Sequence, residues 1–187
     1  YASKARGIAL HQALENVWRQ LRSQKQLLSL KETDLDALLS ASLAPLDSLL
    51  KNLPSALHAL EKNRLKQLLL AALAQDKKRP DFSVYALEAA CTLPLGPMTF
   101  HIKIDRIDQL NAETHWVIDY KTHFPSPLPW QQDTPRHPQL LLYALHSHRH
   151  RANLFHALQK WRAQLKGVGE TATKAPYLQT SPDWDAQ

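Results

Sequence analysis

Three short segments between residues 83 and 122 restrict the fold more than anything else in the chain. "SVYALEAACTL", "TFHIKIDRI" and "HWVIDYKT" each have the length and composition of a strand, and the turn-forming "LGPM" and the polar "DQLNAET" separate them. In the second, Phe100, Ile102 and Ile104 share one face while His101, Lys103 and Asp105 share the other. In the third, Trp116, Ile118 and Tyr120 alternate with Val117, Asp119 and Lys121. Three consecutive strands joined by short turns predict an antiparallel meander.

Around this meander the period is helical. Residues 3–23 place Ile8, Leu10, Leu14, Val17, Trp18 and Leu21 near helical spacing. A second helix is expected in "KETDLDALLSASL", with Thr33 or Asp34 as its N-cap and Pro45 and Pro54 as punctuation. A third is expected in the Leu- and Ala-rich "ALHALEKNRLKQLLLAALAQ". Beyond the meander, the Pro-rich "FPSPLPWQQDTP" reads as a loop, residues 138–147 as a helix and "RANLFHALQKW" as another strand. From "KGVGE" onward, turn formers leave no element assigned. The expected class is α/β, an antiparallel meander with helices around it and an additional helical segment near the N-terminus.

With 187 residues the chain suits one domain better than two. We expect a single domain over 1–187, with a helical segment at about 24–80 and a core of about 3–23 plus 81–170. A start without Met reads as the interior of a longer polypeptide. No run of about 18 apolar residues predicts a membrane span. The single Cys91 excludes an internal disulfide framework or a multi-cysteine metal site, and points to a reducing, intracellular setting. A formal net charge of +6 favours an anionic partner, nucleic acid first, although a basic protein without such a partner has the same composition.

The chemistry concentrates on the strands. Asp119 and Lys121 project from one strand face, and alone they read equally as a solvated ion pair. An antiparallel neighbour can set Asp105 opposite them, placing two carboxylates and an ammonium in one cleft. Paired acids repel unless a proton or cation intervenes, and a hard divalent metal on oxygen ligands resolves the conflict. Glu88, among Val84, Ala86 and Ala90, needs a partner if buried, either a metal site or a salt bridge. Asp108 is expected to face solvent at the strand end.

An acid, a spacer and then Asp-x-Lys resembles the PD-(D/E)XK nuclease superfamily. The wording "KIDRID…VIDYKT" is similar to its RecB/AddB-type branch, the nuclease domains attached to bacterial recombination helicases. "RGIALHQALENVW" resembles the opening helix of that branch, "VYALEAA" its first core strand, and "HPQLLLYAL" the helix after the Asp-x-Lys strand. The resemblance implies a restriction-endonuclease-like α/β core, a central mixed sheet flanked by helices, and a Mg²⁺- or Mn²⁺-dependent deoxyribonuclease. Its products would carry 5′-phosphate and 3′-hydroxyl ends.

By the same resemblance His11, Asp105, Asp119 and the carbonyl of Tyr120 hold the metal. Asp105, Asp119, Lys121 and Gln139 are then catalytic, with Glu88 and Tyr143 in support. DNA contacts are expected from Arg106, Trp130, Arg136 and Arg149. Implied partners are DNA and a helicase region in the same polypeptide or complex, with no membrane, in the bacterial cytoplasm. Two departures stand out: Lys103 precedes Asp105 where the branch usually has Gly, and the four cysteines of an iron–sulfur cluster are missing.

Other readings remain for several residues. His11 also suits a helix histidine packed on the sheet, Gln139 and Tyr143 a polar helix edge, and Trp130 a packed loop. His146 and His150 share a helix face but lack the ligands for a zinc site. At the level of function, the alternatives are a catalytically silent DNA-binding domain and a protein-interaction module.

Overall fold

The first helix of the computed structural model, α1 (Ser3–Leu21), shows why this sequence begins as it does. Ala9, Leu10, Ala13, Leu14, Val17, Trp18 and Leu21 are buried, a continuous stripe at helical spacing. Ile8, counted with the apolar positions from spacing, lies off this stripe and is exposed. Secondary structure is described for residues 3–50, 54–121, 150–159, 162–169 and 178–180, and side chains for residues 6–45, 47–48, 54–94 and 96–121. The helix expected at 138–147 and the Pro-rich loop lie outside the described residues.

After α1 come α2 (Gln24–Ser29), α3 (Glu32–Leu43), a 3₁₀ turn at Ala44–Leu46 and α4 (Asp47–Leu50). Ser23 caps α2, its side chain accepting from the Gln26 amide. The N-cap of α3 is Lys31, without a side-chain bond, so Thr33 and Asp34 lie within the first turn instead. Acids there still favour the positive end of the helix. Pro45 sits in the 3₁₀ turn and Pro54 at the N-cap of α5 (Ser55–Asp76), the punctuation expected of both.

The buried residues of α5 are Leu65, Leu68, Leu69, Ala72, Leu73 and Asp76. Asp76 thus continues an apolar stripe at i+3, and the geometry of the helix carries a carboxylate into the core. The side-chain amide of buried Gln24 donates to the carbonyls of Asp76 (3.1 Å) and Arg79 (2.5 Å), satisfying groups a helix end leaves open. Main-chain bonds from Gln24 N to Phe82 O (3.0 Å) and from Val84 N to Arg22 O (2.7 Å) join the end of α1 to the start of the sheet.

The strands are β1 (Ser83–Leu95), β2 (Met98–Gln109), β3 (His115–Lys121), β4 (His150–Gln159), β5 (Arg162–Gly169) and β6 (Leu178–Thr180). They form one sheet in sequential order. The first three make the expected antiparallel meander, β3 and β4 pair parallel, β4 and β5 antiparallel, and β5 and β6 parallel. The sheet is therefore mixed, flanked by helices, as a restriction-endonuclease-like α/β fold requires. β5 and β6 occupy the region where turn formers hid the strand signal. Gly96, at φ 58°, makes the tight β1–β2 turn in a conformation that costs glycine little.

One core cluster joins α1, α2, α3 and α5 to Phe82, Val84, Trp116, Ile118 and Tyr120. Across the sheet a smaller one contains Ile104, Ile107 and Val117. Phe82 is central to the larger cluster, its ring 5.4 Å from Trp18 and 4.4 Å from the Arg79 guanidinium. Among the described residues, no helix is long and apolar enough to cross a membrane.

Phe82→Ala should therefore cost about 3–5 kcal/mol, the usual loss for a buried aromatic. Leu57→Ala, at a half-exposed position of α5, should stay within about 0.5 kcal/mol. Urea unfolding followed by circular dichroism measures both.

Candidate active site

The active-site candidates meet where the regular alternation of β1 and β2 breaks. Leu87 packs toward the helices, yet Ala86 and Ala89 both pack on the opposite face. Similarly, Ile104 and Ile107 lie on that opposite face with Arg106 between them, its guanidinium over Trp18 on the helical side. Strict period two would separate each of those pairs. The register runs from Leu87↔Arg106 to Ala89↔Ile104, with Glu88 and Asp105 between. Glu88 absorbs the change with φ 51°, a left-handed conformation that costs a non-glycine residue on the order of 1 kcal/mol or more.

The break aims two carboxylates at the edge of α1. One ligand atom each from His11, Glu88 and Asp105 lies within 4.8 Å of the other two, and all three residues are half-buried. Ring nitrogen Nδ1 of His11 is 3.5 Å from Asp105 Oδ2. Its Nε2 is 2.8 Å from the Tyr120 carbonyl, which can only accept, so Nε2 carries a hydrogen. That bond leaves Nδ1 as the nitrogen facing the carboxylates, the orientation a metal-binding imidazole takes when a carbonyl holds its other side. Burial disfavours the His11 cation, but its bond and charge interaction with Asp105 outweigh burial and raise its pKa.

Tyr120 ties the neighbouring strand to the same point. Its amide donates to Asp105 Oδ2 at 2.8 Å. The β2–β3 ladder ends at Arg106↔Ile118, so the Asp105 carboxylate takes over where main-chain pairing stops. On either side of Tyr120, Asp119 and Lys121 form an ion pair, Nζ to Oδ2 at 2.8 Å. Asp119 is buried, which removes the reading as a solvated surface pair. Burial, opposed by Lys121 and aided by repulsion from Asp105, pushes the Asp119 carboxyl up to about 6. Lys103, the departure from the usual Gly, forms an ion pair with Glu88. Glu88 therefore has a salt-bridge partner and a place beside His11 and Asp105.

Two expectations are corrected. Arg106 cannot reach DNA, because it is fully buried. Asp108 does not face solvent; it is fully buried too. Both belong to a four-charge cluster with Asp76 and Arg79, all of whose side chains have no exposed area. Arg106 grips Asp76 with two nitrogens, at 2.9 and 3.1 Å, and Asp108 at 2.9 Å. Arg79 Nη1 lies 2.8 Å from Asp76 and 2.7 Å from Asp108. Sequence reasoning missed Asp76 and Arg79. The available signal was Asp76 at the next position of the α5 apolar stripe, where an acid must find a cationic partner. Gln139, Tyr143, Trp130, Arg136 and Arg149 lie outside the described residues.

Removing the Asp105 charge should relieve Asp119. In Asp105→Asn the Asp119 carboxyl should titrate below its wild-type midpoint of about 6, read by carbon-13 NMR of the metal-free chain. Because the folded-state value is raised, Asp119 stabilises the fold most below its unfolded value of 3.8. That contribution falls as pH rises through about 6.

A protein-family model described as the PD-(D/E)XK nuclease superfamily matches residues 1–186. No curated protein matches the chain at a significant level.

Proposed function

Because the chain belongs to the PD-(D/E)XK nuclease superfamily, we propose that it is a Mg²⁺- or Mn²⁺-dependent deoxyribonuclease module of a DNA repair or recombination protein. The observation that carries this reading is the convergence of His11, Glu88 and Asp105 beside the Asp119–Lys121 pair. One imidazole nitrogen among carboxylates suits a divalent cation that prefers oxygen ligands. Burial, with repulsion from Asp105, holds the Asp119 carboxyl up, and a bound cation would offset both.

His11, Asp105 and Asp119 are the residues assigned to hold the metal, with Glu88 alongside. The Tyr120 carbonyl, bonded to Nε2, orients His11 so that Nδ1 faces the carboxylates. When bound, such an ion lowers the pKa of a water and neutralises phosphate charge. Asp105 and Asp119 must then be ionised, and His11 must give up any proton on Nδ1. Lys121, held by Asp119, presents an ammonium to the attacking water and to the charge developing on the scissile phosphate. Gln139 and Tyr143 are assigned to support the water and the nucleic acid, as the resemblance implies.

The excess positive charge supports a polyanionic substrate bound mainly through its phosphates, with affinity falling steeply in salt. A helicase region in the same polypeptide or complex, and the bacterial cytoplasm as the setting, are part of this proposal. A catalytically silent DNA-binding domain is the second reading. It predicts affinity for DNA without metal-dependent cutting.

Linear single- and double-stranded DNA incubated with Mn²⁺ or Mg²⁺ tests the proposal. Wild type should generate ends bearing 5′-phosphate, Asp119→Ala should be inactive, and Lys121→Ala should lose about 10²–10³-fold in rate. Equal cutting by all three proteins would place the activity elsewhere. DNA binding without cutting would favour the second reading.

A further inference from the structure

We propose that Arg106, clamped by Asp76 and Asp108, is a positioning residue for the metal ligands and acts on them through Tyr120. The inference rests on the reading of His11, Asp105 and Asp119 as those ligands. Arg106 lies on the helical side of the sheet, over Trp18, whereas Asp105 bonds to the Tyr120 amide. The influence of Arg106 has a visible route. Its Nη1 donates to the Tyr120 hydroxyl at 2.8 Å. Tyr120 in turn offers its amide to Asp105 and its carbonyl to His11, each at 2.8 Å. One residue thus connects the buried clamp to two ligands through three polar groups, and the adjoining residues are Asp119 and Lys121.

The arrangement is directional in a way an apolar core would not be. The two-nitrogen grip on Asp76 fixes the plane of the guanidinium, and the bond to the hydroxyl fixes where the Tyr120 side chain ends. Leu or Met could fill the same volume, but neither could aim a donor at Tyr120. Arg106 also follows Asp105 directly, so holding its side chain restrains the backbone from which the Asp105 carboxylate projects. Buried charge lattices of this kind often add little stability, whereas an outer partner that orients a metal ligand commonly changes affinity.

The test uses the 187-residue chain without DNA, titrated with Mn²⁺ by calorimetry, and hydrogen exchange at the amide of residue 120. Tyr120→Phe removes only the hydroxyl and leaves Arg106 on Asp76. It should weaken Mn²⁺ binding by about tenfold and speed exchange at that amide. Asp76→Asn keeps the shape of the clamp without its charge and should show both changes to a smaller degree. The control is Leu39→Val, in the core but on a helix carrying neither clamp nor ligands. It should show neither change.

Mn²⁺ affinity within about twofold of wild type in both Tyr120→Phe and Asp76→Asn overturns the positioning role. So do equal losses in the control. A wild type that binds no Mn²⁺ overturns the reading of the metal site, and this inference with it.

Discussion

Four charges buried without exposed area set the terms for the described part of this protein. Asp76, Arg79, Arg106 and Asp108 balance to zero net charge, and each depends on the others because water cannot reach them. Burial alone would lower the Arg106 pKa, but Asp108 and Asp76 more than reverse this and raise it. Leaving any one charge alone would cost on the order of 3–5 kcal/mol, so the groups hold their places together. The cluster joins the end of α5, the turn that follows and strand β2. Through the Tyr120 hydroxyl it also reaches β3. Rings of Trp18, Phe82 and Trp116 surround the two guanidinium groups and complete their solvation.

From that anchor the active-site geometry follows outward. Tyr120 faces the cluster with its side chain and the candidate ligands with its backbone. The left-handed residue at Glu88 lets β1 and β2 change which face they present, bringing Glu88 and Asp105 toward α1. The strained backbone thus lies at the point where three ligand candidates converge. The strain is small beside the burial of the surrounding core, so the fold can sustain it.

Membership in the PD-(D/E)XK nuclease superfamily and this geometry support each other. The family match concerns the chain as a whole, whereas the distances concern a few side chains. Asp119 illustrates the logic. Its ion pair with Lys121 looks structural by itself, yet it is buried beside Asp105 and His11, with its carboxyl pushed up to about 6, and the proposed function has it exchange its proton for a cation.

Much of the fold was legible in local pattern. Period-two alternation located β2 and β3, and helical stripes located α1, α3 and the C-terminal half of α5. The proximity of His11 to Asp105 was anticipated by the family resemblance, and the Asp119–Lys121 pair by its spacing on one strand face. The N-cap of α3 was misplaced because several polar residues compete at a helix start, and local chemistry separates them weakly. Arg106 and Asp108 were misread for a deeper reason. Strict alternation assigns faces only while the backbone stays regular, and the turn of Glu88 into positive φ leaves no mark in composition. The partner of Arg106, Asp76, lies thirty positions away at the end of helix α5, with a separation that no sequence period encodes. The sequence by itself determined an α/β chain with an acid–lysine pair on a strand, because period and motif are local properties. Only the tertiary structure decided which charges converge at the candidate site and which neutralise one another in the core. Burial and pairing exist only once distant segments meet.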